Sequence, residues 1–500
     1  MRKFDLLEKF EVYQIELLMY LIDTGGSATK KDLLVHLNIS EYFLTKLIEN
    51  LISLAQKSDT NFSIEVNRKN VLFQKKAEYS LQLLYNALIK HAPKYRILEE
   101  LFLHGTINPR NLCKKIGISQ STYFRKIKEL NELLEEFELI IQKGVLFGSE
   151  LQIRFFYMSL CLITDLGEKV TSSNIDPRIL TLVNTIQQLS ESSFSFSAKK
   201  KLIIYFCLLK RRYVHNCVMT FNQHRLIFYD RINKHNQKKF IHVLKTTPLF
   251  KQVHIVLRSF LVYYSFEMHP DEEILLLVFM VTEEIIPNDS TYLNKLNLIE
   301  ANNRFFVWSL STELLNFIEQ HYPNTSFNDE QRTLLHHYLK SSIYRHLIFR
   351  GHIDNYWKPQ QDNLQPLKKI DYFTTFIKQK YSEITINDAH DTILIAKITH
   401  IINFYEDHTK NRISVGIFFE GDFFNKNKFT EWWIKHIELT SIALAEPLSR
   451  NKSYDLIISN VNYPQLQKRG KHFYFLTNYQ ENLDIINLDY LLNDLYSSSC

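Results

Sequence analysis

The sequence predicts a mainly helical, multidomain chain that closes in a small α/β domain, and three observations carry that prediction. The chain has 500 residues, 45% of them hydrophobic, which is too long for one core when domains cluster near ~100 to 150 residues, and apolar enough to bury several. A short two-helix pattern is written twice at an offset of 79 residues. The long middle keeps apolar side chains at helical spacing with few glycines, and after Arg412 the period switches to strand-like runs.

The repeated unit reads "DLLVHLNISEYFLTKLIENL" from Asp32 and "NLCKKIGISQSTYFRKIKEL" from Asn111. Leu33, Ile39, Ser40, Ile48 and Leu51 match Leu112, Ile118, Ser119, Ile127 and Leu130. Gly117 suits the left-handed backbone of a tight inter-helix turn, and Asn38 is among the best substitutes for glycine there. Ser40 and Ser119 are natural N-caps for the helix that follows. This is the helix-turn-helix pattern, whose second helix enters a DNA major groove. "FSIEVNRKNVLFQ" follows the first copy and "LIIQKGVLFGSELQIRF" the second; both read as β-hairpins, the latter turning at Lys143-Gly144, so each unit is expected to carry a wing.

Charge separates the copies. Between His104 and Leu130 six cations (Arg110, Lys114, Lys115, Arg125, Lys126, Lys128) face one carboxylate, Glu129, whereas the window from Ser27 to Leu51 sums to zero. The whole chain carries only +6, so one short unit could hold most of the excess. On the second recognition helix, Gln120, Ser121, Thr122 and Tyr123 occupy the first turn, where side chains reach base edges. Arg110, Lys114, Arg125, Lys126 and Lys128 are expected to hold phosphates. The neutral first unit is then a weaker DNA contact or a packing module.

Other classes find little support. The longest apolar run, Ile274 to Val281, is far below the ~18 to 20 residues that span a bilayer, and "MRKFDLLEKF" meets charges too early for a signal peptide. A cytoplasmic protein without membrane attachment is expected. Cys113, Cys161, Cys207, Cys217 and Cys500 form no CxxC pair, which fits free thiols and gives no metal site. No Gly-rich phosphate loop, HExxH, GxSxG or EF-hand loop occurs, so no catalytic residue and no cofactor is assigned. Two bundles of roughly 120 residues fit the middle segment. The tail, with "RISVGIFFEGDFF", "YDLIISNV" and "HFYFLTNY" as strands around "KFTEWWIKHI", reads as α/β with a mainly parallel sheet.

Taken together, these segments resemble the Mga/AtxA family of virulence regulators from Gram-positive bacteria. "INPRNLCKKIGISQSTYFRKIKELNELLEEF" is similar to the Mga helix-turn-helix, and "GVLFGSELQIRFF" to that family's wing ending. The resemblance implies five domains: winged helix-turn-helix units at 1–75 and 76–155, PTS-regulation domains at 156–287 and 288–408, and an enzyme IIB-like domain at 409–500. It also implies phosphorylation of bundle histidines by a phosphodonor of the sugar phosphotransferase system. His337 ahead of Arg345, and His400 closing "DTILIAKITH", approximate the family's pattern in the second bundle. In the first, "DEEILLLVFM" has Phe279 and Met280 where histidine is expected, leaving His215 and His269 as nearby substitutes. The loop "FEGDFF" lacks the cysteine of enzyme IIB, which implies an interaction module supporting a homodimer or higher homo-oligomer.

The expected function is therefore a double-stranded-DNA-binding transcriptional regulator, an activator of virulence or carbohydrate-responsive genes. A PTS-regulated RNA-binding antiterminator is one alternative, since such proteins use similar bundles, but the helix-turn-helix units oppose it. A phosphocarrier of the sugar system is another, opposed by the missing cysteine.

Overall fold

A computed structural model of the chain describes residues 1–57, 62–164, 166–167, 175–215, 242, 245–269, 272–287, 291–302, 305–321, 329–353, 394, 398, 401, 413–420, 423–440, 442–449, 452–464, 466, 468–476 and 482–499. The chain separates into two compact units, Met1–Leu315 with Asn328–Thr399, and Asn316–Phe327 with His400–Cys500.

The larger unit opens with α1 (Lys9–Asp23), β1 (Ser27–Thr29), α2 (Lys30–Leu37), α3 (Glu41–Lys57), β2 (Phe62–Val66) and β3 (Asn70–Lys75). Asn38 ends α2 at φ 50°, and Ser40 caps α3 by accepting the Phe43 N–H at 3.3 Å. The expected hairpin is antiparallel, with Ile64 opposite Phe73. It gains a third strand, since β1 pairs with β3. That strand is only Ser-Ala-Thr, too short to show a period of two. Leu33, Leu44, Leu47, Leu51, Val71 and Phe73 close the core of this unit.

The second copy comprises α4 (Leu81–His91), α5 (Pro93–His104), α6 (Pro109–Ile116), α7 (Gln120–Leu134), β4 (Ile140–Gln142) and β5 (Val145–Phe147). Strands β4 and β5 are antiparallel, with Ile141 opposite Leu146. Lys143 and Gly144 turn between them at φ 48° and φ 74°, the pair of positive angles a two-residue type I′ hairpin turn demands. The Gly144 carbonyl accepts the Ile107 N–H at 2.7 Å. A Cβ on Gly144 would lie 2.4 Å from the Ile107 carbonyl oxygen, so glycine is required here for space as well as for angle.

Helix α8 (Glu150–Ile163) carries the chain from this wing into a helical region formed by α9 (Pro177–Leu189), α10 (Phe196–Val214), α11 (Pro248–Tyr263), α12 (Glu272–Thr282), α13 (Thr291–Asn302), α14 (Phe306–His321) and α15 (Asp329–Ile348). Every residue of α12 is buried, so the longest apolar run of the sequence is a core helix wrapped on all sides. Among the described residues no helix is long and apolar enough to cross a membrane. Glu272, at the start of α12, is neutralised by Arg154 of α8, whose guanidinium nitrogens lie 2.6 and 3.0 Å from its two carboxylate oxygens. Arg154 Nε also donates to Glu150 at 2.9 Å, Arg212 donates to the same carboxylate at 2.6 Å, and Tyr213 OH donates to Glu272 at 3.0 Å. A buried ionic network therefore joins α8, α10 and α12.

The smaller unit holds a four-stranded parallel sheet of β6 (Ile413–Phe418), β7 (Ala443–Pro447), β8 (Tyr454–Ser459) and β9 (Gly470–Phe475) in the order β7-β6-β8-β9. Helices α16 (Phe423–Leu439) and α17 (Asn482–Ser499) cover it, burying Trp433, Ile437, Leu488 and Leu492 against Val415, Leu456 and Ile458. Strand β7, "ALAEP", had no strand pattern of its own: its exposure does not alternate and it lies at the sheet edge.

Candidate nucleic-acid interface

The N-terminus of α7 is built by local hydrogen bonds. Gly117 sits at φ 71°, with no atom within 4 Å of where its Cβ would be, so it is the angle that selects glycine. Ser119 Oγ accepts the Thr122 N–H at 3.1 Å and lies 2.8 Å from Ser121 Oγ. Asn108 caps α6 in the same way, accepting the Arg110 and Asn111 N–H groups at 3.1 and 3.3 Å. With both helix starts fixed by side chains, the orientation of the exposed face of α7 is set by the turn.

Of the residues expected at the interface, Arg110, Lys114, Gln120, Ser121, Arg125 and Lys128 are exposed and Thr122 is half-buried. Among the described residues none is an ion-pair partner of Arg110, Lys114 or Lys128, and Arg125 has only Glu129 at 3.9 Å. Lys115 is already paired with Glu100 at 2.7 Å.

Two residues leave the expected set. Tyr123 is 2% exposed and Lys126 is 6% exposed. Lys126 Nζ donates to Glu8 at 2.6 Å and to Glu129 at 2.8 Å, tying α7 to the segment ahead of α1. Burial opposes its charge, but the hydrogen bonds and charges of Glu129 and Glu8 prevail and hold the ammonium above its ordinary pKa. A cation so engaged is not free for a phosphate. At about 3.6 residues per turn, Lys126 and Lys128 point to nearly opposite sides of α7, and counting cations without that phase put Lys126 on the wrong face.

One outward residue escaped the charge-based reading. Phe124 is 60% exposed and stands between Gln120 and Lys128 at i, i+4 spacing, with Ser121 and Arg125 alongside. An apolar side chain in that position suits a thymine methyl or the sugar edge. Beyond Lys128 the face changes sign. Glu132, Glu135 and Glu138, with Phe124, Ile127 and Ile140, line a groove of about 660 Å³, and this acidic end repels a phosphate backbone.

In the first copy, α3 presents Glu41, Tyr42, Thr45, Lys46 and Glu49, with the Lys46 ammonium 4.6 Å from the Tyr42 ring centre. These exposed residues carry two carboxylates against one ammonium, so the contrast between the two copies holds on the folded surface.

Residues 77–161 match the family described as Mga helix-turn-helix domain. They are an Mga helix-turn-helix domain. A protein of Streptococcus pneumoniae serotype 4 (strain ATCC BAA-334 / TIGR4) named "Putative trans-acting regulator" is 23% identical over 156 residues, covering 31% of this chain and 31% of that one. Both findings support a likeness to the Mga/AtxA-type regulator family over this part of the chain. The Mga match begins before α4 and ends inside α8, so it takes in both helices of the basic copy and its wing.

The candidate phosphorylation sites do not converge. His215 caps the end of α10 with Nε2 3.2 Å from the Leu103 carbonyl, and its ring packs where a Cβ on Gly105 would meet it at 3.2 Å. His269 is half-buried ahead of α12, its N–H donating to Tyr213 OH at 3.2 Å. His337, on α15, is 4% exposed, and among the described residues neither ring nitrogen has a hydrogen-bond partner. Burial, then the charges of Lys340 and His336, push its pKa down to about 3. His400 lies outside the described residues. At the carboxyl ends of β6 and β8, where the strand order reverses and ligands usually bind, Glu420 and Asn460 close on each other. The Glu420 N–H donates to Asn460 Oδ1 and Asn460 Nδ2 donates to the Glu420 carbonyl, both at 2.9 Å.

Proposed function

We propose that this chain is a DNA-binding transcriptional regulator that reads duplex DNA with the N-terminal three turns of α7. The observation that carries the reading is the set of exposed cations Arg110 and Lys114 on α6 and Arg125 and Lys128 on α7, of which only Arg125 has a carboxylate, Glu129, within 4 Å among the described residues, beside the exposed Gln120, Ser121 and Phe124 of a helix capped and turned as groove-reading helices are. Thr122 supports the cap and stands at the edge of the contact. Base edges and groove shape are read by Gln120, Ser121 and Phe124, while the cations hold register on the phosphates. The first copy adds a second, weaker contact whose attraction is not electrostatic.

Regulation through sugar status is the finer part of the proposal. The helical region at 156–408 acts as two PTS-regulation domains and the terminal α/β unit as an enzyme IIB-like oligomerisation module; the outcome is activation of virulence or carbohydrate-responsive genes. The parallel sheet and the closed Glu420–Asn460 corner suit an interaction module. Phosphorylation at His337 would bring a dianionic group to a buried position, so it requires α15 to move outward first. His215 and His269 are reachable with less rearrangement.

The test is a competition gel shift with the full chain. Promoter duplex should displace an equal concentration of RNA hairpin, and Arg125→Ala with Lys128→Ala should weaken every duplex alike. Preference for the hairpin, or unchanged duplex affinity in the double variant, would remove α7 from the account.

A further inference from the structure

A segment that leaves a helix usually runs over the surface, but Phe349 and Ile353, which follow α15, are 3% and 4% exposed and Gly351 is buried between them. What holds them belongs to the basic Mga domain. Gln152, fully buried on α8, donates its side-chain amide to the Ile348 carbonyl at 3.4 Å and accepts the Arg350 N–H at 3.2 Å, pairing with the backbone much as a neighbouring strand would. Glu136 accepts the His352 N–H at 2.9 Å. Arg350 Nε lies 3.3 Å from Glu138. The Phe349 and Phe155 rings stack at 4.3 Å and 14°. Gly351 adopts φ 75°, and the Phe137 ring stands 2.6 Å from where its Cβ would be. Three of these receptors, Glu136, Phe137 and Glu138, are consecutive and form the turn into which α7 runs.

We infer that Phe349–Ile353 is a strap that fastens the end of the recognition helix to α15, so that a displacement of α15 is delivered directly to α7. The inference rests on the DNA-binding reading for its consequence, but the mechanical link stands on these contacts alone. Two features make α15 the moving partner. Among the described residues neither buried ring nitrogen of its His337 has a hydrogen-bond partner, and the buried Lys340 ammonium three residues on is held by Glu300 at 2.7 Å and by Asn297, contacts that a new charge beside it would disturb. A charge placed at His337 would unseat this helix before its better-satisfied neighbours. A glycine in the left-handed region pressed on an aromatic ring, and a glutamine bonded on both sides, leave the strap little room to absorb a shift.

Hydrogen exchange on the full chain decides the matter without DNA. In Gly351→Ala, which forces a methyl group against Phe137, and in Gln152→Met, which keeps the packing but removes both hydrogen bonds, the amides of Phe137–Leu139 should exchange about tenfold faster while α1–α3 are unchanged. His337→Asp should loosen the same amides from the far end of α15. Faster exchange confined to Arg350–Ile353, or His337→Asp opening α15 with Phe137–Leu139 unmoved, would overturn the strap. Duplex affinity of Gly351→Ala should shift by about fivefold or more at constant salt; an unshifted affinity beside faster exchange would overturn the delivery to DNA. Failure of the wild-type chain to bind duplex would instead sink the DNA-binding reading and leave the exchange result to judge the strap.

Discussion

Lys126 and Lys128 stand two residues apart on one helix and do opposite things. Lys128 is exposed and has no ion-pair partner among the described residues, whereas Lys126 is sealed against Glu8 and Glu129. Lys126→Met should therefore leave the salt dependence of DNA binding unchanged and destabilise the packing of α7 on the segment before α1 by about 1 kcal/mol, since Glu8 and Glu129 are each about a third exposed and water can reach them; urea unfolding monitored at α7 checks it. Ser119→Ala removes the cap that accepts the Thr122 N–H and should cost about 1 kcal/mol, with Ser119→Asp restoring it. His337 gives a prediction in pH. Its pKa falls from 6.5 unfolded to about 3 folded, so the unfolded chain binds the extra proton. The stability it contributes is complete above pH 6.5 and is lost as pH falls toward 3, by about 1.4 kcal/mol for each unit below 6. His337→Leu should flatten that acid limb in thermal melts taken between pH 6.5 and pH 4. A limb equally steep in the variant would assign the acid sensitivity elsewhere.

At the scale of elements, the buried network of α8, α10 and α12 is the feature most exposed to single substitutions. Arg154→Met strands Glu272 inside the helical region and should cost about 3 to 5 kcal/mol, while Arg154→Met with Glu272→Met should recover most of that; protection of the α12 amides against hydrogen exchange reports both. Elements with a clean period were legible in the sequence. The two helix pairs, the Lys143-Gly144 turn and the strands β6, β8 and β9 show their spacing and turn chemistry directly. Helix α15 did not reveal its burial in the same way, because Lys340, Ser341, Ser342 and His346 are all buried on it and a helix enclosed on every side has no polar stripe. The edge strands β1 and β7 were illegible for a related reason: three or five residues at a sheet edge need not alternate. At the interface, composition identified the cations but not their phase around α7, which is why Lys126 and Tyr123 were misplaced and Phe124 was missed.

For the whole molecule, the order of segments was readable, but contacts between segments distant in sequence were not. Nothing local to "FRGHI" announces that Gly351 seats on Phe137, more than two hundred residues earlier. In the larger unit the exposed cations of the basic copy are Arg110 and Lys114 on α6 and Arg125 and Lys128 on α7, with an acidic groove just beyond, in a chain whose net charge is only +6. That arrangement makes attraction to DNA local and strongly dependent on salt, and it is the claim on which regulation through the bundles depends. The measurement that tests it is the anisotropy of a labelled promoter duplex titrated with the full chain across a range of salt concentrations, wild type beside Arg125→Ala/Lys128→Ala. Loss of two phosphate contacts should make the slope of log affinity against log salt shallower by about 2. An identical slope in the two proteins would contradict the account.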